Sequence, residues 1–138
     1  MILALMLSQA TGVVEGGNQT SAIDKTVFSI DAIDEMRDTL EDLRALRDAT
    51  PDTLRSTCLD TKAQRIQDLV DQAEQASVAT VDAIAAGEEA RAEHEFRKVG
   101  VALMRTRQLS EEAQLQCAVS VQQEEAAVQL GWSGVQPD

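Results

Sequence analysis

His94 is the only histidine in the chain, and it stands in Glu93-His94-Glu95-Phe96-Arg97, where an imidazole, carboxylates and a guanidinium fall within a few positions. Such groups are the material of general acid–base catalysis or of a metal site. The first needs a nucleophile beside the base, and the second needs further ligands at fixed spacing. Neither accompanies His94: Glu89, Glu93 and Glu95 are scattered along a charged helical stretch. The sequence also lacks an EF-hand loop, a Glu-x-x-His pair, a glycine-rich phosphate loop and a Gly-x-Ser-x-Gly elbow. It therefore predicts no catalytic residue, no metal ligand and no bound cofactor. Arg91 with Glu95 and Glu93 with Arg97 read as i,i+4 surface pairs, worth about a few tenths of a kcal/mol each.

The other reactive side chains are Cys58 and Cys117. They form no Cys-x-x-Cys motif, and no base is placed to lower a thiol pKa, which argues against redox catalysis. Their placement points elsewhere. Cys58 lies 29 residues before Gly87 and Cys117 lies 30 after it, so a chain folded back at Gly87 brings the two level. Each arm spans about 40 Å at the helical rise. A disulfide needs Cα atoms within about 7 Å, which small residues on the facing helices permit. The expectation is a Cys58–Cys117 disulfide that closes a long loop and stabilises the fold by about 4 kcal/mol on the chain-entropy model. Two buried, reduced thiols acting as small apolar side chains are the alternative.

The elements that must position these residues are helices. Apolar residues at Ile30, Ile33, Met36, Leu40 and Leu43, with Leu46 near the same line, mark one face of a helix from about Ser29 to Asp48. Thr50-Pro51-Asp52 is a restart signal: Thr50 can cap free amides, Pro51 suits the first helical position and Asp52 favours the positive end of the helix. The second inward line is Leu59, Ile66, Leu69, Val70, Ala73, Ala76, Thr80 and Ile84, ending at Gly87, a residue suited to a left-handed helix stop. The third runs through Ala92, Phe96, Val99, Leu103, Thr106, Ser110, Ala113 and Cys117 in steps of three and four, a coiled-coil-like seam. Thr106 and Ser110 on that seam are expected to hydrogen-bond back to their own helix. The predicted fold is all-α: a long antiparallel hairpin turning at Gly87, with a shorter third helix packed on its cysteine end. Its core is small and branched, since the chain has no Tyr, two Phe and one Trp.

Residues 1–10 read as an apolar N-terminal arm or as a signal-peptide-like segment, with Ser8 and Ala10 where a signal peptidase prefers small residues. The first option has the arm docking on the bundle. Residues 11–28, with Gly16-Gly17, read as a flexible leader containing the glycosylation-like Asn18-Gln19-Thr20; residues 29–131 form the helical domain, stopped by Gly131; residues 132–138 are a tail. No stretch approaches the roughly 20 apolar residues of a membrane span. The charge of −12, from 24 acids and 12 bases, repels phosphate backbones and anionic surfaces, so nucleic acid is not an expected partner. Phe28, Phe96 and Trp132 are isolated and offer no stacking platform.

A first helix confined to the cysteine half leaves Ala76, Thr80, Ile84, Phe96 and Val99 near the turn partly uncovered, with Trp132 of the tail available to join them. These six residues are the candidate partner surface, unless they satisfy one another beneath the leader or the tail. Trp132-Ser133-Gly134 resembles the Trp-x-Gly of small secreted helical-hairpin proteins of the type VII family, although here it lies in the tail and not in the interhelical turn. Over about 60 residues, from Cys58 through Lys62, Ile66, Leu69 and His94-Glu95-Phe96-Arg97 to Cys117, the chain resembles uncharacterised exported helical-hairpin proteins of bacteria. That resemblance implies export and the disulfide, and no activity. The reading that results is a non-catalytic interaction or scaffold protein, periplasmic or secreted, that engages a protein partner or a second copy. A ligand-sensing or chaperone-like bundle with an apolar groove is the alternative function. A cytoplasmic protein with reduced thiols is the alternative location.

Overall fold

A computed structural model describes residues 21–117, which form α1 (Ala22–Asp48), α2 (Thr53–Ala85) and α3 (Glu89–Glu112), the last widening into a π-helical turn at Ala113–Cys117. The predicted all-α hairpin is present, with α1 laid along it. Arg37, Arg44 and Arg47 of α1 bond to Glu74, Gln67 and Asp60 of α2, so rising numbers on one helix meet falling numbers on the other. α1 therefore runs antiparallel to α2 and parallel to α3, and pairs Lys25 with Glu93 and Glu35 with Arg107 across the latter seam.

Local chemistry explains the helix ends. Asp52 caps α2, its carboxylate accepting from the Arg55 amide at 2.9 Å. The expected cap, Thr50, instead donates its hydroxyl back to the Leu46 carbonyl at 2.6 Å and ends α1. At the other end of α2, Gly87 has φ 74°, the left-handed conformation that a side chain disfavours. Its amide bonds to the Ile84 carbonyl and the Glu88 amide to the Ala83 carbonyl, the paired bonds of a Schellman stop. The hairpin turns where the sequence places it.

The core is built from Met36, Ile66 and Val99, fully enclosed, with Leu40, Leu43, Leu59, Val70, Leu103 and Leu109 around them and alanines between. Alanines at the contacts let the helix axes approach closely. Two expected inward residues of α1 face out, Ile30 at 53% and Leu46 at 40% exposure, while Ser29 and Ala32 are buried in their stead. On α2 the buried residue nearest the turn is Ala83, with Ile84 half-buried. Thr106 is enclosed, but its hydroxyl makes no hydrogen bond among the described residues, contrary to expectation, whereas buried Thr80 on the facing helix bonds back to the Ala76 carbonyl at 2.7 Å.

The largest correction concerns the start of α1. Residues 22–28, expected as part of a flexible leader, are helical, so α1 is 27 residues long and reaches the turn end. The Ser21 hydroxyl accepts from the Asp24 amide and caps it. Buried Lys25 meets Glu93 at 3.1 Å and lies 5.8 Å from the Phe96 ring centre, and Phe28 packs edge-on against Phe96 at 5.3 Å. A lysine and a serine at inward positions interrupt the apolar period, and so hide the first two turns from a periodicity reading.

Candidate interaction surface

Cys58 and Cys117 are joined by a disulfide with their Cα atoms 5.5 Å apart, across a sequence separation of 59. The π-helical turn ends on Cys117, which is buried, while Cys58 is half-buried at the edge of the core. One turn inward, Lys62 donates to Glu112 at 3.0 Å. The bond therefore ties the end of the described chain to the start of α2, at the end of the bundle remote from Gly87.

The expected partner surface is mostly interior. Ala76, Thr80 and Val99 are buried, Ile84 and Phe96 are half-buried, and Trp132 lies outside the described residues. At the turn end the extra length of α1 brings Phe28 and Lys25 onto Phe96, while Ala76, by the register of Arg37 with Glu74, lies level with the middle of α1. Among the exposed apolar side chains, which also include Leu46, Leu54, Val78, Val101, Met104 and Leu115, one line runs a step round the helices. Ile23 (75% exposed), Val27 (51%) and Ile30 (53%) follow one another on α1 at steps of four and three, and Val81 of α2 is 46% exposed.

Helical register explains where this line runs. The flank between α1 and α2 is occupied by Arg44 with Gln67 and, one heptad toward the turn, by Arg37 with Glu74. One further heptad along each helix gives Ile30 and Val81, and one beyond on α1 gives Ile23. Positions that carry bonded polar pairs in the cysteine half are thus filled by β-branched apolar residues in the turn half. The acids beside them are Asp24, Asp31 and Asp34 on α1 and Asp82 on α2, all exposed. Among the described residues only Asp34 has an ion pair, a loose 3.9 Å approach to Arg37. Sequence reasoning missed this line because it assigned Ile23 and Val27 to the leader and Ile30 to the core. The signal was available in the seven-residue spacing of Arg44, Arg37, Ile30 and Ile23.

His94 and Arg97 line a different feature, an open groove of about 720 Å³ between α2 and α3, together with Gln72, Gln75, Glu95 and Lys98 over a floor that includes Leu69, Ala76 and Val101. Its charges are spent locally: Lys98 meets Glu95 at 3.0 Å, and Arg97 approaches Glu93 at 3.7 Å. Arg91 pairs with Glu88, not with Glu95 as the spacing suggested. Among the described residues the lining holds no hydroxyl or thiol nucleophile, and His94 is exposed. Among the described residues no cluster of three or more His, Cys, Asp or Glu side chains could hold a metal ion, and no helix is long and apolar enough to cross a membrane.

Across the α1–α3 flank, Arg107 donates to both carboxylate oxygens of Glu35 at 2.6 and 2.8 Å. These bonds hold the Glu35 carboxyl below the ordinary glutamate range, against a smaller opposing effect of burial, and raise the Arg107 guanidinium. Arg47 is likewise raised, first by its bond to Asp60 and then by Asp48. All three shifts belong to ion pairs that fasten α1 to the hairpin. Compared with known proteins, the chain matches no family model, and neither a curated protein nor a solved structure matches it.

Proposed function

We propose that this protein is a non-catalytic interaction or scaffold protein of the bacterial periplasm or cell exterior, a disulfide-clamped helical hairpin braced by α1 that presents a surface to a partner. One observation carries the reading: a bundle with a closed core keeps Ile23, Val27, Ile30 and Val81 in solvent at positions that are polar elsewhere on the same flank. Apolar side chains aligned along two helices lower their free energy when another surface covers them. The disulfide supports an oxidising compartment, and the resemblance of the Cys58 to Cys117 stretch to exported bacterial helical-hairpin proteins points the same way. The partner is a protein.

A photo-crosslinking amino acid placed at Ile30, and at exposed Gln64 in the cysteine half as a control, tests the reading in the native host. A discrete protein adduct from position 30 and none from 64 is expected; no adduct from 30 sinks it. Intact mass after alkylation tests the compartment separately: no adducts before reduction and two after support export, whereas two before reduction place the protein in a reducing cytoplasm. The alternative of a ligand-sensing or chaperone-like bundle is favoured by the groove beside His94 and its partly apolar floor. Saturable binding of an apolar probe to native protein, abolished by Val101→Glu, would select it.

A further inference from the structure

We infer that the line formed by Ile23, Val27, Ile30 and Val81 docks a basic amphipathic helix of another protein, laid along the turn half of the α1–α2 flank. This rests on the interaction reading above and specifies the partner's chemistry. The spacing supplies the first argument. Side chains at steps of four and three on α1 repeat over about 10 Å of helix, and with Val81 on α2 they form the two walls against which a further helix lays anchors at i, i+3 or i+4 and i+7. In the cysteine half that approach is closed by Arg37 with Glu74 and Arg44 with Gln67.

Charge selects the occupant. Asp24, Asp31, Asp34 and Asp82 border the line, and the nearest base on α1, Lys25, is turned inward onto Glu93 and Phe96. A second copy would set acids against acids in a chain of net charge −12, and an acidic helix would do the same. A helix with an apolar stripe flanked by Lys or Arg meets both features at once: its stripe covers the valine and isoleucines, and its cations neutralise the aspartates at the rim. Attraction of this kind speeds encounter and weakens with salt.

The test uses the full-length, oxidised protein and three labelled synthetic helices: a Leu/Lys amphipathic peptide, its Leu/Glu counterpart, and the Leu/Lys composition reordered to remove the apolar face. Fluorescence anisotropy should show the first binding at least about tenfold more tightly than the other two, a difference of about 1.4 kcal/mol. Ile30→Gln with Val81→Gln should weaken that binding about tenfold at unchanged Tm, and Asp24→Asn, Asp31→Asn and Asp34→Asn together should flatten its salt dependence. Met104→Gln, at an exposed apolar position on α3, should change nothing. Equal binding of the reordered peptide, or full binding by the Ile30→Gln, Val81→Gln protein, overturns the proposal. So does a homodimer that the double variant converts to monomer, since a second copy then covers the line. An acidic protein crosslinked at position 30, with no Leu/Lys peptide binding, refutes the basic partner while leaving the interaction reading intact. No crosslink and no peptide binding removes both.

Discussion

The two halves of this bundle are held by different chemistry, and α1 passes through both. In the cysteine half its flanks are polar: Arg37, Arg44 and Arg47 reach α2, and Glu35 receives Arg107 from α3. One heptad toward the turn, Arg37 gives way to Ile30 and Glu35 to Phe28, and the base of that stretch of α1, Lys25, is buried. A disulfide closes one end and a glycine turn closes the other. The contrast teaches that polar flanks seal a bundle against further helices, because covering a pair that is already bonded costs desolvation and gains no new partner in return, whereas an apolar flank leaves the same approach open. The stable end anchors. The turn end is the one whose α1 flank stays apolar and exposed.

The largest effect should come from cutting the covalent end. Cys58→Ser with Cys117→Ser, compared with oxidised wild type in urea, should cost about 4 kcal/mol, mostly by freeing the unfolded chain. Native-state hydrogen exchange would show whether the loss also has a local part. Amides near Cys117 should lose more protection than those near Gly87; uniform loss would mean that the two ends are not distinguishable as units. Next comes the other end. Gly87→Ala should cost about 1–2 kcal/mol through the left-handed φ alone, since a Cβ there meets nothing within 4 Å. Thermal denaturation with the disulfide intact measures it, and an unchanged Tm would mean that the turn re-forms without its Schellman geometry.

A smaller change of opposite sign should come from the core between the halves. Thr106→Val replaces an enclosed hydroxyl that has no partner among the described residues by a methyl of the same shape, and should raise stability by about 1 kcal/mol. Thr80→Val removes a hydroxyl already bonded to Ala76, so its gain should be clearly less. Equal gains in urea titrations would mean that the two sites are solvated alike.

How much of this was legible in the sequence depends on whether a position was decided by its own chemistry or by a neighbour. Gly87, the cysteine pairing and the seam through Val99, Leu103 and Ala113 depend on local stops and on regular spacing, and each was readable. The beginning of α1 was not. Lys25 faces inward because Glu93 and Phe96 lie opposite on α3, and no count of apolar residues along one segment contains that information. The candidate surface failed because α1 reaches further along the hairpin than a helix confined to the cysteine half: by the register of Arg37 with Glu74, Ala76 is level with the middle of α1, and Ala76, Thr80 and Val99 are all buried. The displacement of the cap from Thr50 to Asp52 is a different case, decided between two competent side chains two residues apart.

The smallest predicted effect concerns pH and isolates one polar flank. Glu35 titrates lower in the folded chain than in the unfolded one because Arg107 bonds to its charged form. At neutral pH the carboxylate is ionised in both states and the folded state has the full benefit; below the ordinary glutamate value the unfolded chain takes up a proton first. Stability is therefore lost as pH falls through the lowered folded value. Because the pair is largely solvated and screened by salt, its share is small, and it is visible only by difference. Urea midpoints of wild type and Glu35→Gln should lie furthest apart near neutrality and converge on acidification, with the gap narrowed by added salt. A gap that stays constant down to strongly acidic pH would show that Glu35 holds α1 by packing and not by charge, and the polar flank would then be no firmer than the apolar one.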